Sequence, residues 1–119
     1  MHELSIAMGI VEAAAEEAQK RCVKVSAVHL RLGALSGVVK DALLFSYEVA
    51  CQDTDLAGSK LIVEDVPVVV FCPTCNDTRE LVSMQSFTCP VCNTPTMNIL
   101  QGKELEVYAL EVKEEEVSG

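Results

Sequence analysis

The sequence has no tryptophan and few aromatic residues, which make up 4% of its 119 positions. A hydrophobic core must therefore be built mainly from Val, Leu, Ile and Ala. A chain of this length fits one compact unit, or one unit with a small metal-stapled addition, but not two full-sized domains.

Basic residues and long apolar segments are also scarce. Nine Lys and Arg stand against 18 Asp and Glu, which gives a formal charge of -9 and disfavours attraction to nucleic acids or anionic membranes. Apolar runs such as Val66 to Phe71 are too short to span a membrane, and Glu3 and Glu12 lie where a signal peptide would carry basic residues. We therefore expect a soluble, cytoplasmic protein that binds neither nucleic acid nor membrane.

Hydrophobic periodicity predicts both helices and strands. Apolar residues recur every three or four positions from Leu4 through Met8 to Cys22, which predicts an amphipathic helix. A second such helix is predicted over Lys40 to Cys51. Alternating apolar residues predict a strand that ends at Gly33 between the two helices. Two further strands are expected, at 60–66 and 103–113.

The composition changes between Pro67 and Gly102, where cysteine, proline, asparagine and threonine replace the helical pattern. This change predicts a separate module over residues 67–102. Residues 1–66 then form the other domain, which the strand at 103–113 completes. Residues 114–119 are expected to be a flexible acidic tail.

Two Cys-x-x-Cys pairs carry the strongest chemical signal: Cys72 with Cys75, and Cys89 with Cys92, with 13 residues between the pairs. In a reducing compartment these spacings indicate a metal site rather than disulfides. Four thiolates form a closed tetrahedral cage without an open position, which favours structural Zn2+. Iron in a rubredoxin-like site is the competing interpretation on the same ligands.

Asparagines follow both pairs, at positions 76 and 93, where such turns often adopt a left-handed conformation that Asn tolerates. Zinc ribbons often bind nucleic acid, but the charged residues of this module are Asp77, Arg79 and Glu80, without a basic cluster. Phe71 and Phe87 could stack on bases, although packing around the metal site is favoured. A scaffold or docking role is expected for the module.

The N-terminal residues Met1, His2 and Glu3 form a second candidate metal site. The Met1 amine, the His2 amide nitrogen and the His2 imidazole can close adjacent chelate rings, with a Glu3 group near the remaining position. Nitrogen donors of this kind suit Ni2+ or Cu2+. Residue type alone favours the plainer interpretation of an exposed, unliganded histidine, with Glu3 placed to complement the helix dipole.

The whole chain resembles the HypA family of hydrogenase maturation factors. The resemblance rests on Met1-His2-Glu3, Leu30-Arg31-Leu32-Gly33, Leu35-Ser36-Gly37-Val38, a following helix with Phe45, Glu48 and Cys51, and the two cysteine pairs. It implies an α+β fold in which two helices pack on a small three-stranded mixed sheet, with a four-cysteine zinc ribbon inserted before the last strand. It also implies a nickel chaperone rather than an enzyme.

Carried over to this sequence, the resemblance makes His2 the essential nickel ligand, with Glu3 beside it, and makes Cys72, Cys75, Cys89 and Cys92 the zinc ligands. The implied partners are a HypB-type nickel GTPase and the precursor of the hydrogenase large subunit. A homodimer is a further expectation. The alternatives left open are a zinc-ribbon nucleic-acid-binding protein and a rubredoxin-like electron-transfer protein.

Four other residues receive structural interpretations. Relatives often carry a carboxylate where this chain has Val39, and Asp41 is expected mainly to complement the dipole of the second helix. His29 is expected to be solvated on the sheet face. Cys22 and Cys51 are expected on buried helix faces as small hydrophobic residues.

Overall fold

The computed structural model describes residues 2–81 and 87–114, with Glu114 described only in its backbone. The elements, in chain order, are helix α1 (Glu3–Arg21), strand β1 (Val23–Gly33), helix α2 (Lys40–Cys51), and strands β2 (Lys60–Val66), β3 (Val69–Cys72), β4 (Asp77–Glu80), β5 (Ile99–Gln101) and β6 (Leu105–Glu114). The described part of the chain has no helix long and apolar enough to cross a membrane. Glu114, the first residue of the predicted acidic tail, ends β6. Residues 115–119 lie outside the described residues.

Helix α1 buries a narrower face than its apolar pattern predicts. The residues on this face are mostly small: Ala7, Val11, Ala14 and Ala18. Leu4 and Met8, at the edge of the pattern, are 45% and 57% exposed. The expectation for Cys22 was wrong. Cys22 lies just beyond the helix in a left-handed conformation with φ 53°. Its side chain is therefore exposed and not on the buried face of the helix.

Helix α2 has the predicted bounds, and its buried face repeats every four residues with Leu43, Tyr47 and Cys51. Cys51 is buried as expected. Tyr47 is the largest fully buried side chain, and its hydroxyl is hydrogen-bonded to Ser59 Oγ at 2.7 Å. This partner is needed because an unpaired hydroxyl in an apolar core is costly. Helices α1 and α2 pack against each other.

The first sheet has the strand order β2-β1-β6. Central strand β1 is the most buried of the three, while Val107, Tyr108 and Val112 of β6 are exposed. Two helices with this sheet, and a separate four-cysteine part, confirm the predicted fold class.

Charged side chains connect the three strands of this sheet. Arg31 of β1 bonds Glu64 of β2 at 3.1 Å, approaches Glu106 of β6 at 3.7 Å and lies 4.2 Å above the Tyr108 ring. His29 is less solvated than expected, since its side chain is 20% exposed and has a partner. Its Nε2 lies 2.8 Å from a Glu111 carboxylate oxygen, and its ring meets Tyr108 edge to face.

The second sheet has the order β4-β3-β5, and both of its strand pairs are antiparallel. It belongs to a unit built from Leu32–Gly37 and Asp65–Leu105, while the rest of the described chain forms the other unit. The core of this second unit is small. Its apolar cluster has the buried residues Val68, Val70 and Leu81, with Leu35, Phe87 and Ile99 packed against them.

Gly33 ends β1 in a backbone crossing that leaves no space for a side chain. Its amide donates to the Glu104 carbonyl at 2.7 Å, and the Leu35 amide donates to the Gly102 carbonyl at 2.6 Å. A Cβ atom at position 33 would overlap the Gly102 backbone. The identity of this residue is therefore set by backbone packing.

Replacing Gly33 with Ala should destabilise the protein by roughly 1–3 kcal/mol or more, because the backbone around Gly102 must move. Gly9→Ala is the matched control: nothing lies within 4 Å of its added Cβ in the middle of α1, so it should stabilise the helix by about 0.5–1 kcal/mol. Urea unfolding followed by circular dichroism measures both changes. Equal effects of the two substitutions would contradict the crossing.

Candidate metal centre

The first cysteine turn joins β3 to β4. Cys72 ends β3, and Asn76 adopts a left-handed conformation with φ 53° just before β4 begins. The Cys75 amide donates to the Cys72 sulfur at 3.4 Å. This amide supports the charge of a thiolate at Cys72, as in other metal-binding turns.

The second cysteine turn, from Cys89 to Asn93, also ends in a left-handed asparagine. Asn93 is left-handed with φ 60°, and its amide donates to the Cys89 carbonyl at 2.8 Å. A bridge between Thr88 and Pro95 closes the base of the turn. The left-handed conformations predicted for both asparagines are confirmed.

The two turns bring all four sulfur atoms to one point. Every pair of Sγ atoms lies within 4.8 Å, with Cys72 and Cys92 at 3.5 Å and Cys75 and Cys89 at 3.9 Å. A tetrahedral ion with bonds of about 2.3 Å requires sulfur separations of about 3.8 Å. The side chains therefore fit a four-coordinate metal ion. Cys72 and Cys89 are fully buried, while Cys92 is exposed.

The thiols of the cluster differ strongly in acidity. Hydrogen bonds from the hydroxyl and amide of Thr94 lower the pKa of Cys92 to about 6. Its Sγ lies 3.1 Å from the Thr94 hydroxyl oxygen. Hydrogen bonding to Cys92, together with desolvation, raises the pKa of Cys75 to about 12. Metal binding by the cluster therefore requires Cys75 to release a proton.

Arg79 is a component of this centre that the sequence interpretation missed. Its Nη1 donates to Asp77 Oδ2 at 3.1 Å, and this hydrogen bond, with smaller contributions from Cys75 and Cys89, raises the pKa of Arg79. The sequence did contain a signal, since Arg79 is the one basic residue between positions 67 and 102. Its place on the same sheet face as Cys72 depends on strand pairing that spacing does not reveal.

The N-terminal candidate residues lie elsewhere, at the start of α1. His2 is the exposed N-cap residue with an extended backbone, and its side chain does not cap the helix. Glu3 occupies the first helical turn and is partly buried. Met1 lies outside the described residues. Asp41 occupies the first turn of α2, where its charge complements the helix dipole.

Among the described residues, the four cysteines form the one group of three or more His, Cys, Asp or Glu side chains suited to a metal. His2 and Glu3 are therefore not joined there by a third side chain of these types.

A comparison with models of known protein families matches nearly the whole chain. The family model described as hydrogenase/urease nickel incorporation, metallochaperone, matches residues 1–112. The chain belongs to the HypA family. HypA proteins are metallochaperones and maturation factors rather than enzymes, which confirms the class of function inferred from the sequence.

Individual HypA relatives match most of the chain. The hydrogenase maturation factor HypA of Chloroflexus aurantiacus is 54% identical over 112 residues, covering 93% of this chain and 98% of the relative. The HypA of a Roseiflexus species is 48% identical over 116 residues, covering 97% and 94% of the two chains.

Solved structures share the fold. The solution structure of the Ni metallochaperone HypA from Helicobacter pylori has a TM-score of 0.64 and 23% identity, covering 97% of this chain and 100% of that chain. A second solution structure of a HypA protein has a TM-score of 0.69 at 23% identity, covering 97% and 98%.

Replacing Cys75 with Ser should abolish metal retention by the four-cysteine group, since one of four ligands is lost. It should also unfold the second unit, whose apolar core is small, while the helical signal remains. Metal analysis and far-ultraviolet circular dichroism check both effects, with the exposed Cys22→Ser as control. Loss of all helical signal would contradict the independence of the helical unit.

Acidification should weaken metal binding by the cysteines, because bound thiols must be deprotonated. Above a pH of about 6 Cys92 is already ionised, whereas below that pH it must also release a proton. We therefore expect affinity to fall more steeply with pH below about 6. Competition with a chelator over a pH series measures the slope, and an affinity that is independent of pH would contradict thiolate ligation.

Proposed function

We propose that this protein is a nickel metallochaperone that binds Ni2+ at its N-terminal segment and delivers it for maturation of nickel-iron hydrogenase. The match to a nickel-incorporation family over residues 1–112 carries this proposal. Hydrogenase is favoured as the target because the Chloroflexus and Roseiflexus relatives are named hydrogenase maturation factors. Nickel is the cargo of the protein, and no covalent chemistry is required of it.

The proposed nickel ligands are the Met1 amine, the amide and imidazole nitrogens of His2, and a Glu3 group. Two features of α1 support this set. The imidazole of His2 is exposed and is not used in capping. The first amides of a helix also lack partners within the helix, so a backbone nitrogen there is available to a metal.

Release of nickel follows from the position of these donors at a chain end. An exposed imidazole can exchange for a ligand of the receiving protein without disturbing the buried core of α1, which begins at Ala7. Square-planar nitrogen coordination suits Ni2+. The proposed transfer is therefore a stepwise exchange of ligands.

We assign Zn2+ to the four-cysteine centre, with Cys72, Cys75, Cys89 and Cys92 as its ligands. The sulfur separations fit its tetrahedral coordination. Bound zinc would supply a cross-link between two turns and would remain in place during nickel transfer. The helical unit is thus the proposed nickel-binding domain and the cysteine unit the proposed zinc-binding domain.

A HypB-type nickel GTPase and the hydrogenase large-subunit precursor are the proposed partners, with the cytoplasm as the proposed compartment. Membership of a maturation-factor family supports interaction with other maturation proteins. The sequence has no phosphate-binding Gly-rich loop, so a nucleotide-driven step would depend on a partner. Nucleic-acid binding is disfavoured because Arg79 is the one basic residue of the zinc module and is paired with Asp77.

Replacing His2 with Ala should abolish stoichiometric Ni2+ binding while leaving zinc content and fold unchanged, because the exposed side chain adds no core packing. Isothermal titration of untagged protein measures the nickel stoichiometry. The chain offers a matched control in its other histidine. His29→Gln should retain nickel binding, since His29 pairs with Glu111 on the sheet.

An N-terminal extension of a few residues should weaken nickel binding in the same way, because the Met1 nitrogen becomes an amide. The proposed site is wrong if untagged His2→Ala protein still binds one Ni2+ per chain at the affinity of the unmodified protein. In that case Asp41 and His29 are the next residues to replace.

Protein loaded with one Zn2+ should bind Ni2+ at a separate site without releasing zinc, since thiolate and nitrogen donors differ in softness and geometry. Metal analysis after nickel addition and gel filtration checks this expectation. Entry of one Ni2+ with loss of one Zn2+ would contradict the two-site arrangement.

A further inference from the structure

Strand pairing places Arg79 on the side of the second sheet that carries a cysteine ligand. In the register of β3 and β4, Val70 lies opposite Arg79 and Cys72 lies opposite Asp77. Directly opposed residues extend to the same face of a sheet. Val70 and Cys72 are both fully buried. Arg79 and Asp77 therefore share the face on which the sulfur of Cys72 lies.

The guanidinium group of Arg79 lies in a sheltered place on the sheet face that carries Cys72. The side chain is 23% exposed, and its buried Nε has no hydrogen-bond partner in the described part of the structure. Hydrogen bonding to Asp77, with smaller contributions from Cys75 and Cys89, raises the pKa of this group. A sheltered cation is costly unless negative charge lies nearby.

Asp77 fixes the orientation of this cation. Its Oδ2 accepts from Arg79 Nη1 at 3.1 Å, while its Oδ1 accepts from the Thr78 amide at 2.8 Å. Nη1 also donates to the Thr78 carbonyl at 2.9 Å. With one end of the guanidinium group held in this way, its remaining edge is available to sulfur. Metal ligands in proteins are commonly oriented by such outer-sphere partners.

A zinc ion bound by four thiolates keeps a net negative charge, and Arg79 is the one cation that the module can supply between positions 67 and 102. Hydrogen bonds to a thiolate reduce its nucleophilicity. They also reduce its tendency to leave the bound metal ion or to bind a second metal ion. This matters in a protein that also handles Ni2+, because thiolates bind nickel as well.

We propose that Arg79, oriented by Asp77, is a positioning residue that keeps zinc in the four-cysteine cage and prevents its exchange for nickel. The inference rests on the zinc site proposed above. Arg79 acts by offsetting the negative charge of the thiolates of Cys75 and Cys89. It is not itself a metal ligand.

The test compares zinc-loaded full-length Arg79→Met and Arg79→Lys with Glu80→Gln, which changes an exposed charge on the same strand. Zinc release to the chelator 4-(2-pyridylazo)resorcinol should be about 10-fold faster or more in Arg79→Met, the scale of outer-sphere effects on metal sites. Arg79→Lys should show a smaller increase, and Glu80→Gln none. Alkylation of the cage by iodoacetamide should accelerate in the same order.

A spectroscopic readout separates an action on sulfur from a general loosening of the strand. In Co2+-substituted protein, Arg79→Met should shift the sulfur-to-cobalt charge-transfer band to lower energy. The reason is that the thiolates lose the positive charge of the neighbouring guanidinium group. Glu80→Gln should leave the band unchanged. Faster zinc release without this shift would show that Arg79 acts only through the fold, and the proposal would be wrong.

Two further measurements keep the outcome decisive. If Arg79→Met does not fold, Asp77→Asn preserves the arginine while weakening its anchor, and it should release zinc at an intermediate rate. Release at the unmodified rate by both Asp77→Asn and Arg79→Lys would overturn the proposal. Unmodified protein that holds no zinc would instead reject the zinc assignment itself.

Discussion

Convergence of four sulfur atoms at one point is the constraint on which the second unit depends. The three strands described in it have only 4, 4 and 3 residues, and the apolar cluster among its described residues has three buried members with three partly buried neighbours. Apolar burial on this scale does not offset the entropy of ordering such a segment. A metal ion shared by both turns would supply the missing cross-link. The other unit differs, because α1, α2 and β1 have a core of their own.

The features that could be predicted from sequence are set by neighbours along the chain. The two Cys-x-x-Cys spacings place thiols on tight turns, and an asparagine after each turn takes the left-handed conformation. The four-residue repeat of Leu43, Tyr47 and Cys51 fixes the bounds and buried face of α2. Each of these signals is local, so it depends little on which distant strands pair.

The features that sequence did not reveal depend on pairing between distant strands or on the width of a contact. The approach of Arg79 to sulfur requires the register of β3 with β4, and the contact of His29 with Glu111 joins residues 82 positions apart. Leu4 and Met8 match the helical period but are exposed. The buried face of α1 is narrow and consists mostly of alanines. Cys22 was misplaced because α1 ends one residue earlier than its apolar pattern.

The cluster centred on Arg31 has a consequence for how the outer strand finds its place. Strand β6 exposes apolar residues on both of its faces, so burial alone gives it little preference between alternative alignments. Arg31 meets Glu106 and Tyr108 on one side and Glu64 on the other, which a slip of one residue would break. Coulombic attraction between these groups thus favours the observed alignment. Because salt screens exposed charges, this preference weakens as ionic strength rises.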